Sequence, residues 1–206
     1  MKEHNNHLSR AFDLDNPEDI QNFYSDWAKT YDAEILENGY VTPQRCAAAL
    51  AEFAPSKDLS LLDVGCGTGL SGKCLAEVGF TRIDGCDLNH DMLEVAKTRG
   101  IYNRLWQTTT EDPLQFQDGL YDAISAIGVI GSGAAPVTLL YELFKKIGQG
   151  GLIVFSFNDH TLKDPAFECC VMNHTDCGAF ELLFKEHGPH LPKKGIGANV
   201  YVMRKR

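Results

Sequence analysis

Apolar residues recur at helical spacing from Ile20 through Phe23, Tyr24, Trp27, Ala28, Tyr31 and Ile35. Asn16-Pro17-Glu18-Asp19 supplies a cap, a proline for the first turn and two early acids, so the pattern predicts a helix. Thr42-Pro43 opens a second helix, with Cys46, Ala47, Leu50 and Phe53 on one face and Pro55 beyond it. From residue 59 the pattern changes to short apolar runs alternating with amphipathic segments. It predicts strands over 60–64, 82–86, 103–107, 121–127 and 151–157, with helices over 70–78, 90–98 and 136–147. Gly79, Gly100 and Gly148 stand where left-handed caps end helices. Such alternation implies a mostly parallel sheet with helices on both faces. Two later runs, 179–186 and 198–204, have no long helix between them and read as an antiparallel pair on the sheet edge.

The run Leu61-Leu62-Asp63-Val64 ends in Gly65-Cys66-Gly67-Thr68-Gly69-Leu70. A buried strand, a tight glycine turn and a helix start form the layout of a nucleotide-type cofactor loop. The spacing is G-x-G-x-G. A dinucleotide fingerprint, G-x-G-x-x-G, requires a third glycine where Leu70 stands. Asp87 closes the second strand 18 residues beyond Gly69, near the separation expected of a ribose-binding acid. The same carboxylate could instead cap the following helix. Met92 could cover a base or pack in the core.

Composition narrows the classes. With 206 residues, 44% of them hydrophobic, the chain can bury a full core as one domain. Within 1–206, residues 1–58 read as a helical lid, 59–157 as the cofactor core, and 158–206 as a strand pair on the acceptor side. A net charge of −9 repels phosphate backbones and argues against nucleic acid as a partner. The polar start does not match a signal peptide, and no apolar run suits a membrane span. Seven cysteines without a C-x-x-C pair argue against a disulfide framework or metal site, and free thiols suit a reducing cytoplasm. Cys66 reads as a small packing residue in the glycine loop.

The glycine spacing, the acid at Asp87 and the strand order resemble the class I S-adenosylmethionine (SAM) methyltransferases across residues 59–157. The resemblance implies a Rossmann-like α/β fold with a seven-stranded sheet, and SAM as cofactor with S-adenosylhomocysteine (SAH) as product. Trp27-Ala28-Lys29-Thr30-Tyr31-Asp32, Gly39-Tyr40 and Gly188-Pro189-His190 extend it to the small methyltransferases of the Williams–Beuren-region type. It assigns the cofactor to Asp63, Gly65, Cys66, Gly67, Gly69, Leu70, Asp87, Leu88 and Met92. It adds Thr109, Thr110 and Glu111 after the third strand, and Ala126 and Ile127 at the end of the fourth. Tyr31 and Arg45 match the positions that contact the methionyl group in related small-molecule enzymes.

The acceptor is expected to be a small molecule. The Asn/Asp-Pro-Pro-Tyr signature of enzymes that methylate amino groups of DNA and protein is absent. Trp27 and Tyr40 are candidates to close over the sulfonium, with His187 and His190 on the far wall. These two histidines are also the best general-base candidates, ahead of His160, His174 and Asp159, and no metal is required. A monomer or homodimer is expected. Two other classes compete: a SAM-binding accessory protein without its own catalysis, and a nicotinamide oxidoreductase, which Leu70 disfavours.

Overall fold

A computed structural model describes residues 17–131 and 133–206, with side chains from residue 23 onward. The chain runs α1 (Pro17–Glu37), α2 (Thr42–Phe53), β1 (Ser60–Val64), α3 (Leu70–Glu77), β2 (Arg82–Asp87), α4 (His90–Thr98) and β3 (Leu105–Gln107). It continues β4 (Ala123–Ala126), α5 (Val137–Lys146), β5 (Leu152–Asn158), α6 (Pro165–Asp176), β6 (Phe180–Leu191) and β7 (Ile196–Lys205). The strands form one sheet in the order β3-β2-β1-β4-β5-β7-β6. The first five run parallel to one another, whereas β7 is antiparallel to both β5 and β6. The expected seven-stranded, mostly parallel sheet with a late antiparallel pair is therefore present.

Burial on both faces explains why the central strands read as continuous apolar runs. Along β1, Leu62 faces α5 and α6 with Leu140, Phe144 and Phe167, while Leu61 faces α2 and α3 with Leu50 and Leu75. A third cluster joins α1 to the end of β6 through Phe23, Trp27, Ile35, Tyr40 and Leu191.

Helix α6 is absent from the expected element order. Its start is encoded by Asp164, whose side chain accepts from Ala166 N at 2.9 Å, and by Pro165 in the first turn. Gly148 does not cap α5 in the left-handed region. Ile147 is extended and buried, and the positive φ falls at Gly150 (79°). The Lys205 ammonium instead donates to the carbonyls of Phe144, Lys145 and Ile147 at 2.7–3.2 Å. A cation there also suits the negative end of the helix dipole.

Candidate cofactor and acceptor site

The turn after β1 holds Gly65, Gly67 and Gly69 at φ of 64°, 53° and 85°. Side-chain-bearing residues rarely adopt this region, so glycine is required for the turn itself. The three glycines have different surroundings. A Cβ on Gly65 would meet Val129 at 2.5 Å, and one on Gly69 would approach Arg99 at 3.0 Å. A Cβ on Gly67 would meet nothing within 4 Å, because this glycine faces an open cavity.

Beneath the turn, Asp63 is fully buried. Its Oδ2 accepts from Ser71 at 2.6 Å and Tyr102 at 2.8 Å, and its Oδ1 accepts from Ser125 at 2.8 Å. Burial raises its pKa, and the three hydroxyls oppose that rise. Tyr102 reaches it across Gly72 and Gly85, where a Cβ would lie 2.3 and 2.8 Å from the tyrosine. Asp63 thus braces β1, β4 and α3 below the loop and does not line the cavity.

Above the turn, α1 is tied down. Thr68 Oγ1 donates to Asp32 Oδ1 at 2.5 Å, Arg99 pairs with Asp32, and Arg99 Nε donates to the Thr68 carbonyl at 2.6 Å. These groups are half-buried, so the pair should contribute about 1 kcal/mol. Replacing Asp32 with Ala should therefore raise amide hydrogen exchange across 20–40 about fivefold without unfolding the sheet. Unchanged exchange would show that the aromatic cluster alone holds α1.

Asp87 ends β2 at the far side of the turn. Its Oδ2 accepts from Gly67 N and its Oδ1 from Asn89 N, both at 2.8 Å. Burial raises its pKa, against those backbone donors. The cap of α4 is Asn89, whose Oδ1 accepts from Met92 N at 3.0 Å. Both Asp87 oxygens therefore retain acceptor capacity toward the cavity.

The cavity measures about 720 Å³ and lies at the carboxyl ends of β1, β2 and β4, where ligands bind in open α/β sheets. Of the expected site residues, it brings together Tyr31, Tyr40, Gly65, Cys66, Gly67, Leu70, Asp87, Leu88, Met92, Thr110, Glu111 and Ile127. Gly69 caps α3 one step behind the wall, Ala126 is buried within β4, and Thr109 instead accepts from Asp112 N at 3.2 Å. Glu111 is held below the usual carboxylate range by its own backbone N–H and the hydroxyls of Thr109 and Thr110. Cys66 is pushed up by burial and stays a thiol.

Four further expected residues, besides Asp63, Gly69, Thr109 and Ala126, lie outside the cavity wall. Arg45 donates to the carbonyls of Pro189, Ala198 and Glu186 at 3.0–3.1 Å, which ties α2 to β6 and β7. Its guanidinium is thereby committed away from any methionyl group. Trp27 is 1% exposed, packed between Phe23 and Tyr31. His187 faces Asp159 at 2.9 Å on the exposed sheet edge. His190 is buried beside Thr42, with its Nδ1 2.8 Å from Thr42 Oγ1, and its ring packs edge-on behind Tyr40. The His187–His190 segment is strand, with a register shift between Pro189 and Leu191, so the two imidazoles do not flank a turn over the cavity.

Burial lowers the His190 pKa to about 4, with Arg45 and His160 acting in the same direction and Asp159 opposing. The native imidazole stays neutral where the unfolded chain takes a proton below its ordinary 6.5. Stability is therefore full above that value and lost as pH falls toward 4. By pH 5 the loss from this residue should be about 2 kcal/mol. Urea unfolding at pH 7.5 and 5 should show that extra loss in the parent relative to His190→Asn. Equal losses would contradict it.

Residues that the sequence did not single out complete the cavity. Tyr24 comes from α1 beside Asp87, and burial pushes its hydroxyl up to about 12. Val129, Ala135 and Pro136 come from the segment after β4, and Leu139 and Glu142 from α5. Opposite them, Tyr40 sets its hydroxyl against Gly128, where a Cβ would lie 2.4 Å away.

A methyltransferase domain family matches residues 62–155, which include the glycine turn, Asp87 and strands β2 to β4. Residues 62–155 are a methyltransferase domain. The chain is 34% identical to human methyltransferase-like protein 27 over 134 residues, or 64% of this chain and 54% of that one. It is 32% identical to a probable 18S rRNA (guanine-N(7))-methyltransferase of Dictyostelium discoideum, over 52% of this chain and 38% of the other. The chain thus spans about half the human relative or less of these curated proteins. In fold it is similar to a SAM-dependent methyltransferase of Thermotoga maritima, with a TM-score of 0.61 at 16% identity over 91% of this chain and all of that one. The architecture is the class I methyltransferase fold. Among the described residues no helix is long and apolar enough to cross a membrane, and no group of acidic, His and Cys side chains suits a metal ion.

Proposed function

We propose that this methyltransferase-domain protein binds SAM along the Gly65–Asp87 side of the cavity and methylates a small molecule entering between α1 and α5. The observation that carries the reading is Gly67, an open left-handed glycine facing the cavity beside a half-buried carboxylate that keeps acceptor capacity. A cavity of about 720 Å³ has room for a nucleoside-sized cofactor and a small acceptor. The Asp87 carboxylate suits a ribose diol. Leu88 and Met92 suit a base, with Thr110 and Glu111 at its polar edge. Tyr31 and Leu70 stand beside the turn, where the methionyl part would run.

When bound, SAM supplies an already activated methyl group. The chain's own work is then to align an acceptor lone pair and exclude water. Tyr24, Tyr31 and Tyr40 offer aromatic faces, which favour cations. His187 and His190 are left out of this machinery, since neither reaches the cavity wall. An rRNA acceptor, as in the name of the Dictyostelium relative, sits poorly with a net charge of −9. Incubation with methyl-tritiated SAM and either a metabolite extract or total RNA tests the reading. Label should enter the small-molecule fraction. Label confined to RNA would overturn the acceptor class, and SAM binding without any transfer would favour an accessory role.

A further inference from the structure

The acceptor side of the cavity is uniform in charge. Its wall comes from Tyr40, Val129, Ala135, Pro136, Leu139 and Glu142. Among the described residues no Lys, Arg or His lines any part of the cavity, whereas three carboxylates do: Asp87, Glu111 and Glu142. The first two belong to the cofactor side in the reading above. Glu142 stands apart on α5. With Thr138 and Leu139 it turns one face of that helix to the cavity, as residues one turn apart do. Its partner outside the cavity is Lys145, at 2.6 Å. That i,i+3 pair is about half exposed or more on both sides and is therefore weak. An anionic acceptor would enter against Glu142 and a chain of charge −9, with no cation in the cavity wall to receive it.

Resting on the proposed cofactor placement, we infer that the acceptor subsite takes a small basic amine with an apolar or aromatic body and rejects carboxylates and phosphates. The ammonium end is received by Glu142, and the apolar body by Leu139, Pro136, Val129 and the Tyr40 ring. Selection here follows from the cost of leaving a charge without a partner in a largely apolar cavity, which applies to an anion and not to an amine.

The test uses the full chain saturated with SAH, and calorimetric titration with three probes of one shape: phenethylamine, phenethyl alcohol and phenylacetate. The amine should bind at least tenfold tighter than the acid, with the alcohol between them. The ratio should shrink in Glu142→Gln and approach parity or invert in Glu142→Lys, with both variants checked for an unchanged melting profile. An equal or reversed order in the parent, no binding of the amine, or a ratio indifferent to Glu142 overturns the inference. Failure of SAH itself to bind in the loading step would instead remove the proposed cofactor site, so the two failures are distinct.

Discussion

Replacing Gly67 with Val should lower SAM affinity at least a hundredfold while leaving the sheet folded. Two effects act together. Gly67 sits at a φ of 53°, and a β-branched side chain in the left-handed region costs about 1–3 kcal/mol. The new side chain would also project into the cavity, since a Cβ there meets no protein atom within 4 Å. That open space is why the fold should survive, in contrast to Gly65, where the same substitution would drive into Val129. Gly67→Ala keeps most of the strain but projects less bulk, and should bind between the parent and the Val variant. Equal affinities for all three proteins, measured by titration with SAM, would mean that the ligand does not approach this glycine.

Asp87→Ala is expected to weaken both SAM and SAH by two orders of magnitude. A carboxylate hydrogen bond to a ligand hydroxyl contributes about 1.5–3 kcal/mol, and a ribose diol would take two. The variant also frees the Gly67 N–H that Asp87 Oδ2 holds at 2.8 Å, which loosens the turn. Asp87→Asn keeps one acceptor oxygen and should retain an intermediate affinity. Because burial raises the Asp87 pKa, SAM affinity in the parent should fall as pH drops through that titration and rise above it. The Ala variant should lose this dependence. A variant with parental affinity would leave Asp87 as a brace for the turn and for Asn89.

Much of the fold was legible because its signals are local. The G-x-G-x-G turn, the proline starts of α1 and α2 and the run lengths of β1 and β5 each lie within a few residues. Where the expectations missed, the deciding partner was distant in sequence. Gly148 loses its capping role to Lys205, about 60 residues away. The role of Arg45 is decided by carbonyls on β6 and β7, more than 140 residues on. His190 looked chemical because a histidine in a Gly-Pro-His segment has no local reason to be buried; the reason is Thr42 and Tyr40. Leu139 and Glu142 were missed for the opposite cause. The core face of α5 is Leu140, Leu143 and Phe144, and only the tertiary position of the helix brings the neighbouring face of Thr138, Leu139 and Glu142 to the cavity. Helix α6 is the one element whose signal, Asp164-Pro165, was local and passed over.

Calorimetric titration of SAH into the full chain decides whether the cavity beside Gly67 and Asp87 is a SAM site. One SAH per chain should bind saturably with a Kd of about micromolar order, displaced by SAM and indifferent to NADH. No binding up to millimolar SAH, or binding displaced by NADH, would contradict it.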